Sequence, residues 1–152
     1  YRDIIKEQFD LDMDNIPGSG AAGGLGTALM VFLNGTLKSG IETVLDLVDF
    51  DEHLKDVDIV VTGEGATDWQ SVFGKVMQGV GVHCKKHHIP AVAIVGSMGS
   101  GAEDIFDYGI ESIITTVNNI MPLSDALNHA EELYLGAARR MFRLLKAGMQ
   151  MR

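Results

Sequence analysis

Cysteine and long apolar segments are what this sequence has least of. Its 152 residues include one cysteine, Cys84, so no disulfide can form within the chain, and this composition fits a reducing cytoplasm. No apolar run approaches the roughly 20 residues that cross a bilayer. We therefore expect a cytoplasmic protein with no membrane partner.

Positive charge and familiar catalytic motifs are also scarce. The chain has 12 Lys and Arg against 21 Asp and Glu, a formal net charge of -9, and no dense basic patch outside its last helical segment. A phosphate backbone therefore has little to attract it, and nucleic acid is not an expected partner. The GxxxxGK[ST] loop, the kinase HRD and DFG motifs and the GxSxG elbow are all absent.

Apolar segments that alternate between strand and helix periodicity predict the fold. Ile59–Thr62 is a strand, residues 72–88 follow a helical pattern, and AVAIVGS from Ala91 is a second strand. A strand, helix and strand in this order form a right-handed parallel unit, and ESIITTV adds an edge-like third strand. Further helices are predicted over 2–9, 21–32, 39–48 and 123–145. We predict a single α/β region over residues 1–152, a three-layer Rossmann-like or flavodoxin-like parallel sheet with flanking helices.

The segment DIVVTGEGATDWQSVFGK, residues 58–75, is the predicted functional edge. The first strand is expected to stop on Gly63-Glu64-Gly65, as strands do where an open α/β sheet presents a site. Glu64 and Asp68 would then be four residues apart on a loop, close enough to share a metal ion, bind a hydroxyl or divide acid and base work. The alternative is that both acids are only solvated. Lys75 near a helix start opposes the helix dipole, which favours a phosphate or carboxylate contact.

A glycine-rich segment, GSGAAG at residues 18–23, precedes the second helix. It matches GxGxxG, but no strand comes before it, so the dinucleotide-binding fingerprint is incomplete. Backbone amides at such a helix start attract anions; alternatively, the glycines only allow close packing. Further on, Ser39 can cap a helix, and Lys38 is either a ligand contact or solvated.

Two other groups of side chains have open roles. His83 and His87 are four residues apart on a predicted helix with Cys84 between them, a spacing that can bind metal. Because no third ligand is evident nearby, no metal site is assigned. Trp69 can either form the floor of a ring-binding site or pack against the core.

Four blocks of the sequence carry a resemblance to a known family: PGSGAAGGLGTAL at 17–29, LKSGIETVLDLVDFDEHL at 37–54, DIVVTGEGATDWQSVFGKVMQGV at 58–80 and PAVAIVGS at 90–97. They resemble the bacterial glycerate kinase family of the glycerate 2-kinase type. The TGEGxxDxQxxxGK string is highly specific. The resemblance covers nearly the whole chain and corresponds to the C-terminal portion of a longer, two-domain enzyme.

The resemblance implies ATP-dependent phosphorylation of glycerate with Mg²⁺, in a cleft between two α/β domains. The matching positions are Asp68, Glu64 and Lys75 as catalytic residues and Gly18, Gly20, Lys38, Ser39, Gly40 and Gln70 as substrate-binding residues, together with Gly74. Lys75 or Lys38 would balance phosphate or carboxylate charge. Glu64 and Asp68 would hold a hydroxyl or Mg²⁺.

Two features limit what this chain is expected to do alone. The family's DSFKG-type and CDVxNPL motifs are absent from it, and the sequence starts at Tyr1 inside an amphipathic pattern. We expect a fragment of a two-domain enzyme that is inactive in isolation. The alternative is a non-catalytic α/β binding module for a small anion or a protein partner. A third possibility is that the exposed inter-domain face of the fragment pairs with a second copy as a homodimer.

Overall fold

A computed structural model describes residues 1–72 and 75–151, without the side chains of Gln70 and Val72. The chain forms two compact units, Tyr1–Ser39 and the part that begins at Gly40. All three strands lie in the second unit. Among the residues just given, no helix is both long enough and apolar enough to cross a bilayer.

The first unit contains two helices, α1 (Arg2–Phe9) and α2 (Ala21–Leu33). Phe9 and Phe32 meet edge to face, with ring centroids 5.5 Å apart. The predicted helix from Ala21 is present, but its first turn is not regular. Ala22, Gly23 and Gly24 all have left-handed backbone angles, which two glycines adopt at little cost, so right-handed helix continues only after them.

The second unit is built on a parallel sheet in the order β1 (Val60–Thr67), β2 (Ala91–Met98), β3 (Ile110–Thr115). Val60 pairs with Ala91, and Ala91 with Ile110. β3 lies at one edge of the sheet, as predicted. The helices of this unit are α3 (Gly40–Leu47), α4 (Phe50–His53), α5 (Val76–Lys86), α6 (Leu123–Asn128) and α7 (Ala130–Met149), with 3₁₀ segments at Trp69–Val72 and Ala102–Tyr108.

Alternate residues of β2 supply two separate cores, one on each face of the sheet. Ala91, Ala93 and Val95 pack on the face that α5 covers, and Val92 and Ile94 pack on the α7 face. Side chains from the flanking elements complete the two cores: Met77, Val80, Cys84, Ile105 and Ile110 on the first face, Ala137 and Met141 on the second. Because β2 is buried on both faces, it is continuously apolar. The predicted three-layer α/β arrangement is confirmed.

The largest difference from the sequence prediction is the length of β1. The strand does not stop at Gly63-Glu64-Gly65 but continues to Thr67, paired with β2 on both sides of Gly65. A Cβ atom on Gly63 would lie 2.1 Å from the Ile94 carbonyl oxygen, and one on Gly96 would lie 2.2 Å from the Gly65 oxygen. These glycines therefore allow two backbones to approach closely within the sheet, and the prediction of a turn was wrong.

Two predicted helices also differ from the prediction. The helix expected over 72–88 appears as α5, which begins at Val76. The last one is broken at His129, whose φ of -109° and ψ of 20° separate α6 from α7. Hydrophobic spacing does not detect such breaks, because the apolar positions keep their order across them.

Candidate functional site

The carboxyl ends of β1 and β2 meet at one edge of the sheet and are tied together by the backbone that follows each strand. The Gly99 amide donates to the Thr67 carbonyl at 2.7 Å, and the Trp69 amide donates to the Ser100 carbonyl at 3.0 Å. In open α/β sheets, ligands bind outside the carboxyl ends of the strands. The predicted functional edge is therefore a defined structure made from two glycine-rich segments.

Asp68 is fixed at this edge from two sides. Its amide donates to the Ser71 hydroxyl at 3.1 Å, and its carbonyl accepts from the Ser71 amide at 2.9 Å. Ser71 is completely buried, whereas Asp68 is only partly buried. A Cβ atom on Gly99 would lie 3.2 Å from the Asp68 Cβ, so the loop after β2 presses against this residue. The backbone of Asp68 is thus held in a defined turn.

Glu64 occupies a different position, within β1 and opposite Val95 of β2. Four residues of extended strand cover about 13 Å, so Glu64 and Asp68 do not lie side by side on one loop. The interpretation that they can share a metal ion is therefore wrong. No cluster of three or more His, Cys, Asp or Glu side chains within residues 1–72 and 75–151 has a geometry that could hold a metal ion.

A shallow groove of about 370 Å³ opens beside Glu64 on the face that α7 covers only in part. Its lining comes from β1, β2, the residue after β3 and α7: Val61, Thr62, Gly63, Glu64, Ile94, Gly96, Thr116 and Tyr134. Sequence reasoning missed Thr116 and Tyr134. Thr116 follows β3, so the rule that ligands bind outside the carboxyl ends of strands applies to it as it does to the residues after β1 and β2. The helical spacing of Tyr134 suggested a core position, but its side chain is 49% exposed.

Lys75 lies at the N-cap position of α5 with an extended backbone, φ -87° and ψ 170°. The first turn of α5 carries no acidic residue, so the ammonium adds to the positive end of the helix dipole. Within the described part of the chain, the Lys75 ammonium forms no ion pair. This combination favours an anionic partner. Of the other matching positions, Gly74 and the Gln70 side chain lie outside the described residues.

In the first unit, the glycine-rich segment offers an anion fewer amides than a regular helix start would. Amides at three positions already donate within the segment: Ala21 to Gly18, Gly24 to Gly20 and Thr27 to Ser19. Gly18 has a φ of +85°, where only glycine is unstrained. Gly20 has neither a positive φ nor a neighbour within 4 Å of an added Cβ, so neither backbone strain nor packing explains glycine there.

The predicted substrate-binding residues before α3 are all exposed. Lys38 and Ser39 end the first unit, and Gly40 begins α3 and the second unit. An added Cβ on Gly40 would have nothing within 4 Å. Glu64, Asp68, Gln70 and Lys75 belong to the second unit, and Gly18 and Gly20 to the first.

His83, Cys84 and His87 do not converge on a common point. Cys84 is fully buried in the core on the α5 face, and burial raises the pKa of its thiol to about 11. His83 and His87 both approach Asp51 of α4. The three side chains are therefore parts of a core and of a charge cluster.

The family is decided by comparison with known proteins. The sequence profile of the glycerate kinase family matches residues 1–146. The chain belongs to this family. A glycerate kinase from Halalkalibacterium halodurans is 42% identical over 141 residues, which cover 93% of the chain. A glycerate 2-kinase from Escherichia coli is 39% identical over 150 residues, which cover 99% of it.

A solved structure supports the fold assignment. The chain is similar to the crystal structure of a protein assigned as glycerate kinase 2 from Salmonella typhimurium, with a TM-score of 0.72 and 36% identity over 99% of the chain. The match covers 38% of that protein, and the two relatives above are covered to 37% and 39%. The chain thus spans less than two fifths of the length of these family members.

Proposed function

We propose that this chain contributes part of an inter-domain site at which a longer protein transfers a phosphoryl group from ATP to a hydroxyl of glycerate. The observation that carries the proposal is the position of the family motif TGEGATDWQ, whose Asp68 is held by Ser71 directly after the carboxyl end of β1. Family membership supplies the reaction class. The sheet edge supplies a place where a small ligand fits.

For this reaction, the proposed contribution of the chain is positioning and charge rather than covalent catalysis. The glycerate hydroxyl oxygen bonds to the γ-phosphorus, the bond to the ADP leaving group breaks, and the hydroxyl proton passes to a base. Asp68 is suited to accept a hydrogen bond from the hydroxyl, because its backbone is held by Ser71 on one side and pressed by Gly99 on the other. Preorganised groups of this kind lower the barrier because they need no rearrangement during the reaction.

Lys75 is proposed to neutralise a phosphate or carboxylate oxygen. Its ammonium lies at the positive end of α5, where an anion gains from both the charge and the dipole. Lys38 is proposed for the same task in the first unit, together with the backbone of Gly18 and Gly20. Ser39, Gly40 and Gln70 complete the proposed substrate contacts.

Mg²⁺ accompanies ATP in the function that the resemblance implies. Enzymes commonly bind it through one or two carboxylates together with the phosphates of the nucleotide. Glu64 and Asp68 are too far apart along β1 to form a shared cage. No step is therefore assigned to the metal, and Glu64, whose β2 partner Val95 faces α5, is proposed as a contact on that face of the sheet.

Glycerate-dependent ADP production by the complete product of the gene tests this proposal. We expect Asp68→Asn and Lys75→Ala each to reduce kcat/KM at least a hundredfold, the scale seen when one positioned charge is removed, with an unchanged unfolding midpoint. Asp58→Asn is the matched control, because Asp58 is exposed and precedes β1 at the opposite edge of the sheet. Equal activity in the Asp68 and Asp58 variants would rule out the role of Asp68.

Glycerate binding without turnover would favour the binding-module alternative, and turnover by residues 1–152 alone would refute the partial-site proposal.

A further inference from the structure

One histidine joins three helices on the α5 face of the second unit. His83 Nδ1 contacts Asp51 Oδ1 of α4, and His83 Nε2 lies 3.1 Å from Glu42 Oε2 of α3. The side chain of His83 is only 15% exposed, whereas that of Glu42 is 49% exposed. Both ring nitrogens therefore face carboxylate oxygens, in a site that water reaches from the Glu42 side.

This geometry dictates a protonation state. A neutral imidazole has one N-H donor and one lone pair, and an ionised carboxylate can only accept. Either neutral tautomer would thus direct a lone pair at one of the two carboxylates, whereas the imidazolium donates to both. We propose that His83 is a doubly protonated clamp that fixes α3 and α4 on α5, and that the clamp loosens when this histidine loses its proton.

Other titratable groups surround the ring, and two of them share Asp51 with His83. On α5 itself, Lys86 Nζ lies 2.9 Å from Asp51 Oδ2, and His87 Nε2 lies 3.1 Å from the same oxygen without the geometry of a hydrogen bond. From α4, the ring of Phe50 meets His83 edge to face, with centroids 6.1 Å apart. Glu42 and Asp51 are the acidic groups that face the ring from α3 and α4.

The expected pKa changes have opposite signs at the two ends of the clamp. Burial lowers the pKa of His83, but the hydrogen bonds to Asp51 and Glu42 outweigh burial and leave the pKa above its ordinary value. Hydrogen bonds from His83 and Lys86, together with the nearby His87, hold the pKa of Asp51 well below its usual range. For His83, the stabilisation is complete below the unfolded pKa of about 6.5 and is lost as pH rises through the folded value.

The clamp also holds the start of α3 close to α5. A Cβ atom on Gly79 of α5 would lie 2.3 Å from Ile41 Cγ1, so α3 packs against bare backbone directly beside Glu42. Gly40, the first residue of α3, is one of the proposed substrate-binding positions. If the proposed function holds, His83 acts through Glu42 as a positioning residue for that segment, but the clamp itself depends only on folding.

Histidine ring resonances, followed by NMR between pH 5 and 9 in the complete gene product, test the clamp directly. We expect the His83 signals to retain the doubly protonated form above pH 6.5, the ordinary histidine value. Glu42→Gln should lower the midpoint of the His83 titration. A His83 that is neutral at pH 6.5, or one whose midpoint does not move in Glu42→Gln, would overturn the proposal.

Denaturant unfolding supplies a second readout that is independent of turnover. The denaturant midpoint of the unmodified protein should decrease as the pH is raised from 6 to 9. The decrease should be smaller in His83→Gln, whereas His53→Gln should behave as the unmodified protein does. Amide exchange in α3 should accelerate over the same pH range. An identical pH response in the His83 and His53 variants would contradict the clamp whatever the outcome of the kinase assay.

Discussion

The two glycines that flank Glu64 have different structural roles, and replacing each with alanine should have different effects on stability. A Cβ on Gly63 would lie 2.1 Å from the Ile94 carbonyl oxygen, 0.9 Å closer than the 3.0 Å limit that real Cβ atoms respect. The obstacle is the backbone of β2, which cannot rotate away as a side chain can. At Gly65, an added Cβ meets nothing within 4 Å. The two substitutions are thus chemically identical and sterically opposite.

The magnitudes follow from this contrast. Overpacking a tight site costs typically 1–3 kcal/mol, and separating β1 from β2 would weaken one or two ladder hydrogen bonds worth about 0.5–1.5 kcal/mol each. We therefore expect Gly63→Ala to destabilise the protein by about 2–5 kcal/mol. Gly65→Ala should be neutral or stabilising by up to about 1 kcal/mol, because alanine reduces the entropy of the unfolded chain.

Thermal and denaturant unfolding of both variants would measure this difference. A gap of about 3 kcal/mol corresponds to an unfolding temperature roughly 6–12 °C lower for Gly63→Ala than for Gly65→Ala in a domain of this size. Equal unfolding temperatures would refute the reasoning, because they would mean that β1 and β2 do not approach closely at Gly63. A loss of stability in Gly65→Ala as large as that in Gly63→Ala would favour the turn that the sequence suggested.

Three further predictions concern single side chains. Ser71→Ala should cost about 1 kcal/mol in urea unfolding and lower kcat more than stability-matched variants elsewhere, because it frees the turn that holds Asp68; unchanged kcat would contradict that role. Met141→Ala should cost about 2–5 kcal/mol, since Met141 is 3% exposed, while Met149→Ala at 77% exposure should have almost no effect; equal effects would place α7 away from the sheet. Cys84, with its pKa raised to about 11 by burial, should resist alkylation at pH 8 until denaturant is added, and rapid labelling of the folded protein would argue against its burial.

The sequence predicted the sheet well because its strands are distinct in composition. Ile59–Thr62 and AVAIVGS are continuous apolar runs, which parallel strands need when both faces are covered. The intervening helical pattern left one plausible connection between them. ESIITTV was correctly predicted as an edge strand, since it is more polar than the other two. Composition and order were enough to fix these elements.

The details of the candidate site were harder to predict because glycine has two opposite uses. In Gly63-Glu64-Gly65 it was interpreted as a turn, whereas Gly63 of β1 and Gly96 of β2 allow a close backbone approach within the sheet. That single error placed Glu64 beside Asp68. Tyr134 and Thr116 were missed because the groove depends on how far α7 extends over β1, a tertiary feature that periodicity does not contain.

The central claim is that the carboxyl edge of this sheet contacts the reactants of glycerate phosphorylation. A crystal structure of the complete gene product with glycerate and a non-hydrolysable ATP analogue tests it most directly. We predict an oxygen of glycerate or of the nucleotide within hydrogen-bond distance of the Asp68 carboxylate, and an anionic oxygen at the Lys75 ammonium. Both ligands bound without any contact to residues 64–75 would contradict the account.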